Sequence, residues 1–202
     1  MSETRSAGGT RRTRRRPARE RLTRHVDNVL YRDGVHATVD QLIESAQVSR
    51  ATFYSQFPTK EELIDTYLRA RHDQVLDRLE EIAARPVALV EQVAAVFEHL
   101  LTMSQEPNFR GCAFVVAAAE MREDGGPAVT WARAHKRAVQ ACFASMIQAS
   151  GVDAGAAQAA AEQLCILYDG ALITAAFRPE SGAIERAASM ANLLALTLRP
   201  EP

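Results

Sequence analysis

Between Ser49 and Lys60 the chain reads SRATFYSQFPTK. At helical spacing Phe53 and Phe57 fall on one side of this stretch and Arg50, Thr52, Tyr54 and Ser55 on the other. A guanidinium, two hydroxyls and a phenol on one helical face suit recognition rather than catalysis. They match the donors and acceptors of a DNA groove, with Arg50 able to bond guanine bidentately. Catalytic patterns are not found: there is no nucleophile elbow, phosphate loop, HExxH or Glu-x-x-His pair, and His25, His36, His72, His99 and His135 are scattered. The reading is therefore of a protein that is not an enzyme and has no cofactor or metal site.

The elements that must hold this face are short helices. Val39, Leu42 and Ile43 share one helical face behind Thr38, an N-cap residue, and Ser49 offers a second N-cap ten residues on. Two capped helices about Val39–Ser45 and Ser49–Gln56, joined by Ala46, Gln47 and Val48, predict a helix-turn-helix. A first helix opening near Pro17 carries Leu22, Val26, Val29 and Leu30 and ends at Asp33 and Gly34. Thr59 caps a fourth, with Glu61 and Glu62 suited to its positive end, and its apolar pattern runs from Leu63 to Ile82. Beyond Pro86 only helical pattern appears, predicting helices at about 87–104, 110–122, 127–149, 153–177 and 181–198. The expected fold is all-α with about nine helices.

Of the 202 residues, 47% are hydrophobic, enough for a full core. The net charge of −1 hides an asymmetry: the first 24 residues hold nine arginines against two glutamates, a balance of +7, leaving −8 elsewhere. Residues 1–16 read as a disordered arm, and Arg11, Arg12, Arg14, Arg15 and Arg16 as cations for phosphates or a minor groove. Cys112, Cys142 and Cys165 are odd in number and far apart, which suggests reduced thiols and a cytoplasmic protein rather than a disulfide framework or zinc site. No apolar run is read as approaching the roughly 20 residues that cross a bilayer, so no membrane partner is expected.

The last two helices carry more apolar surface than one face needs. Leu164, Leu167, Ala171, Leu172 and Ala175 form one stripe, and Ile184, Ala188, Ala191, Leu194 and Ala195 another. These residues are expected to form a four-helix homodimer interface, two helices from each chain.

The run GVHATVDQLIESAQVSRATFYSQFPTKEEL, Gly34 to Leu63, resembles the signature of the tetracycline-repressor (TetR) family of bacterial transcriptional regulators. The match extends over about 45 residues from Ala18. FRGCAFVVAAAE, Phe109 to Glu120, is similar to one subgroup of the family's variable C-terminal domains. The resemblance implies an N-terminal helix-turn-helix DNA-binding domain over 17–65 and a helical effector-binding and dimerisation domain over 66–202. It places Thr38, Ser49, Arg50, Ala51, Thr52, Tyr54, Ser55 and Lys60 at double-stranded DNA, with Tyr54 and Lys60 on phosphates. Gln47 departs from the glycine common at this turn, where a left-handed backbone costs a residue with a side chain roughly 1–2 kcal/mol.

A protein of this kind is expected to bind a palindromic operator as a homodimer, most often as a repressor, and to be released by a small, mostly apolar molecule. Phe97, Leu101, Phe114, Met121, Trp131, His135, Phe143 and Tyr168 are the candidate effector contacts. Two alternatives stand beside this reading. Cys112, following Arg110 and Gly111, offers a redox-responsive thiol. An adaptor for nucleic acid or a membrane surface, acting through the arginine arm alone, would not depend on the recognition helix.

Overall fold

In the computed structural model, which describes residues 18–121 and 126–200, every regular element is a helix. They are α1 (Ala18–Asp33), α2 (Val39–Ala46), α3 (Arg50–Gln56), α4 (Lys60–Ala83), α5 (Leu89–Ser104), α6 (Ala113–Met121), α7 (Pro127–Ala149), α8 (Ala154–Phe177) and α9 (Ala183–Thr197), with a 3-10 turn at Pro179–Ser181. The arginine arm and Pro17 lie outside the described residues.

Local chemistry sets the helix ends. Thr38, Ser49, Thr59 and Asp153 each accept a backbone N–H from the third residue beyond. Ser49 is thus the cap of α3 rather than its first residue. α6 begins at Ala113 instead of 110 because Asn108 (φ 72°) and Gly111 (φ 78°) are left-handed and break the helical ladder. Gly182 (φ 62°) and the 3-10 turn likewise delay α9 to Ala183.

Two apolar cores form. One joins α1–α3 to the first half of α4 around Leu22, Leu42, Phe53, Phe57, Leu63 and Leu68, and takes Phe114 and Ala117 from α6 and Ala128 from α7. The other fills the space between the second half of α4 and α5, α7, α8 and α9. The expected boundary at residues 65 and 66 therefore falls inside one continuous 24-residue helix, α4. A movement of α6 or α7 reaches the first core directly.

By length and composition α8 is apolar enough to cross a bilayer, contrary to the sequence expectation. In this fold α8 instead packs against α5, α7 and α9. Its buried stripe, Ala157, Ala161, Leu164, Tyr168, Ala171, Leu172 and Ala175, belongs to the protomer's own core.

Candidate nucleic-acid interface and its control site

α2 and α3 present the candidate reading surface. A capping box closes the N-terminus of α2: Thr38 Oγ1 accepts the Gln41 N–H at 3.3 Å, and Gln41 Oε1 accepts the Thr38 N–H at 2.7 Å. Gln47 ends the helix in the left-handed conformation, φ 51°, ψ 47°, and its N–H returns to the carbonyls of Ile43 and Glu44. The chain then enters α3 through Ser49, whose Oγ accepts the Thr52 N–H at 3.0 Å and lies 2.9 Å from Thr52 Oγ1. Phe53 and Phe57 are buried behind α3, with ring centroids 6.2 Å apart. Burial of that pair fixes the rotation of α3.

With α3 so oriented, Thr38, Ser49, Arg50, Ala51, Tyr54 and Ser55 are exposed and Thr52 and Lys60 half-buried. Tyr54 stands edge-on to Phe53 at 5.5 Å, and Ser55 donates to the Thr52 carbonyl at 2.8 Å. Partial burial pulls the Lys60 ammonium below its ordinary pKa. The Arg50 guanidinium is paired across the turn with the Asp40 carboxylate of α2, a partner absent from the sequence reading. The five arm arginines expected at DNA lie outside the described residues.

The expected effector contacts do not form one pocket. Phe97 and Phe143 are fully buried in the second core, with Leu101 packed against it, whereas Met121 and Trp131 pack on the first. Trp131 Nε1 donates to Asp65 of α4 at 2.8 Å. Phe114, His135 and Tyr168 do meet, at a cavity of about 40 Å³ shared with Tyr31, Arg71 and Met103. That volume is far below the roughly 300 Å³ of ordinary ligand pockets. His135 stacks on Phe114 at 3.8 Å, and its Nδ1 lies 3.2 Å from that of His72. Burial, followed by the electrostatic effects of Lys136 and His72, drives the His135 pKa down to about 3.

Larger space lies elsewhere. A crevice of about 330 Å³ between α6 and α8 is walled by Phe109, Cys112, Val116, Ile173 and Phe177, with Arg110 as its charged residue. Immediately beside it the C-terminal domain grips the loop before α2. Glu120 Oε2 accepts the Val35 N–H at 2.7 Å, and Glu120 Oε1 accepts Arg110 Nη2 at 3.0 Å. Arg110 Nη1 also donates to the Tyr31 carbonyl at 3.2 Å, while the Tyr31 hydroxyl donates to the Gly111 carbonyl and accepts the Arg110 N–H, both at 3.0 Å. Gly34 (φ +97°) permits this grip, since a Cβ there would lie 2.5 Å from Glu120 Oε2. Sequence reading passed over Glu120 and Tyr31; the available signal was a lone carboxylate closing the apolar run of α6.

The dimer expectation needs a similar correction. Leu164, Ala171, Leu172, Ala175, Ile184, Ala191 and Ala195 are buried within the protomer, and Leu167, Ala188 and Leu194 pack partly against the same core. Residues already covered by their own chain have little surface to offer another. The same helices expose Ile166, Ile173, Phe177, Met190, Leu193 and Leu196 instead, Phe177 at 81%. Part of this face is a groove of about 340 Å³ between α8 and α9.

A capped helix-turn-helix mounted on a larger helical domain is the architecture of a DNA-binding transcriptional regulator. Residues 27–67 match the family model described as bacterial regulatory proteins, tetR family. The whole chain is similar to a TetR-family transcriptional regulator from Streptomyces coelicolor, with 27% identity, coverage of 89% of this chain and 94% of that one, and a TM-score of 0.81. A tetR-type regulator from Streptomyces avermitilis aligns at 26% identity over 88% and 99% of the two chains, TM-score 0.69. The reduced form of E. coli NemR shares the fold at 19% identity over 91% and 98%, TM-score 0.76. No curated protein matches the sequence significantly. Residues 27–67 thus carry the N-terminal domain of the TetR family, and the described residues have the fold of TetR-family transcriptional regulators.

Proposed function

We propose that this regulator is a repressor that binds a palindromic operator as a homodimer and leaves it when a small, mostly apolar molecule binds. The observation that carries the reading is the exposed polar face of α3, held in register by buried Phe53 and Phe57. Arg50 supplies base discrimination, Tyr54 and Lys60 contact phosphates, and the Ser49, Thr52 and Ser55 hydroxyls complete the surface. One such helix reads half a site, so a second chain is needed. The exposed apolar face of α8 and α9 suits that second chain, and the arm adds affinity through phosphates more than selectivity. In this scheme residues 17–65 read DNA, 66–202 sense and dimerise, and the protein works in the cytoplasm.

Binding to the promoter region adjoining its own gene tests the proposal. Wild type should select that sequence, and the double variant Arg50→Ala/Tyr54→Phe should lose the selection, at a cost of roughly 1–3 kcal/mol for a lost base contact. Deleting residues 2–16 should lower the salt dependence but keep the preference. Equal binding of the double variant to every sequence overturns the reading.

A thiol-responsive mode is a second reading, favoured by one contact: the Lys136 ammonium, paired with Asp169, also faces the Cys112 sulfur. Operator affinity unchanged by peroxide in both wild type and Cys112→Ser removes it.

A further inference from the structure

Arg110 belongs to two structures at once. Arg110 lines the α6–α8 crevice, and its guanidinium holds Glu120 and the Tyr31 carbonyl in the clamp on the loop before α2. The crevice, about 330 Å³, is within the range that takes a small organic molecule. Its wall is aliphatic and aromatic apart from Arg110 and the Cys112 thiol. One guanidinium in such a wall discriminates by charge: it bonds a carboxylate in fork geometry and gains little from a neutral head group.

We propose that this crevice is the effector site and that it takes an amphipathic monoanion, a fatty or aromatic carboxylate, whose acid group draws Arg110 away from Glu120. The proposal rests on the ligand-released regulator reading above and gives it a site, a ligand class and a route. The apolar body lies between Val116 and Ala119 of α6 and Ile173 and Ala176 of α8. Ile173 and Phe177 belong both to the crevice wall and to the exposed face assigned to the second chain, so dimerisation roofs the outer edge.

The route is short. Glu120 is held against Val35 N–H with Arg110 on its other oxygen. Once Arg110 turns to the ligand, the carboxylate loses its guanidinium partner, keeps only the exposed His36 imidazole 3.6 Å from Oε2 beside the Val35 N–H, and favours water over the loop. Residues 34–37 then lose the tether that sets the approach to Thr38 and the capping box of α2. A ligand that binds better when Arg110 is free of Glu120 shifts the population toward the released loop by that difference in affinity.

The test uses the full chain without DNA, so absent operator binding would defeat the regulator reading and leave the ligand result standing. Decanoate and 2-naphthoate are titrated by calorimetry against decan-1-ol and 2-naphthalenemethanol. The anions should bind at least tenfold more tightly than the alcohols. Arg110→Met should reduce the anions to the level of the alcohols, Arg110→Lys should fall between, and Ala119→Phe, at an exposed position of the wall, should weaken both classes. Hydrogen exchange supplies a second readout: Val35 amide exchange should quicken at least tenfold at saturating decanoate, and without ligand in Glu120→Gln. The site is overturned if no probe binds or if Ala119→Phe changes nothing. Alcohols binding as tightly as anions, or anion binding indifferent to Arg110→Met, overturns the ligand class. Unchanged Val35 exchange at saturation overturns the route.

Discussion

Arg50, the only arginine on the exposed face of α3, is paired with Asp40 of α2 rather than extended from the surface. Both side chains are largely exposed, at 60% and 75%, so the pair contributes little to stability, about 0–1 kcal/mol. On the proposed function its effect falls on DNA binding, where Asp40 would compete with the operator for Arg50 and repel phosphate. Asp40→Asn should leave the melting temperature nearly unchanged and tighten operator binding by roughly threefold, more at low salt than at high. Fluorescence anisotropy at two salt concentrations checks this; weaker binding would contradict it.

The turn between α2 and α3 stores a small strain at Gln47, whose side chain is exposed while its backbone is left-handed. Gln47→Gly should stabilise the protein by about 1 kcal/mol, the cost of that conformation for a residue with a Cβ. For a chain of this size the melting temperature should rise by roughly 2–4 °C. Thr38→Ala, which removes the neighbouring cap, should destabilise by about 1 kcal/mol. Thermal unfolding of the two variants should move in opposite directions.

His135 makes stability depend on acidity. Its pKa is about 3 when folded, against an ordinary 6.5, chiefly because it is buried and next because Lys136 is close. Below pH 6.5 the unfolded chain takes up a proton that the folded chain refuses until about pH 3. Stability is therefore lost as pH falls through that window, by on the order of 1 kcal/mol per pH unit. His135→Leu keeps an apolar contact for Phe114 and should flatten the slope between pH 6.5 and 5. Denaturant unfolding at three pH values measures it, and an unaltered slope would assign the dependence to other groups.

The exposed face of α8 and α9 yields a prediction about assembly. Leu193 is 58% exposed in the protomer, so Leu193→Asp removes little of its internal packing. If that face joins two chains, placing a charge there should weaken association by about thirtyfold or more, the effect of losing a 2 kcal/mol contact. Sedimentation should show monomer with an unchanged helical signal. Alanine at Leu164, buried in the protomer core, should instead lower thermal stability, by about 2–5 kcal/mol.

Much of the molecule is local and could be read along the chain. Thr38, Ser49 and Thr59 cap the helices that their types suggest, Gly34 marks an end, and Phe53 with Phe57 fixes which side of α3 faces out. Each of these involves residues within about a turn of one another, where spacing alone sets geometry. The left-handed turn at Gln47 was expected only from the family resemblance, since no local spacing marks it.

What spacing could not determine is which of two apolar faces meets which neighbour. α8 and α9 are rich in alanine and leucine all round, so no polar stripe marks outside, and the residues assigned to a partner chain proved to fill the protomer's own core. The aromatic side chains Phe97, Phe143 and Trp131 were similarly divided between two cores. Glu120 and Val35 are 85 residues apart, and the clamp exists only because Arg110, Gly111 and Glu120 are brought against Tyr31 and the loop after α1. The sequence by itself determined the short capped helices, the outward face of α3 and the family resemblance, because those are contacts within one or two turns. Tertiary packing decided the α6–α8 crevice, the clamp beside it and the exposed apolar face, because all three depend on which long-range contacts consume the apolar faces first.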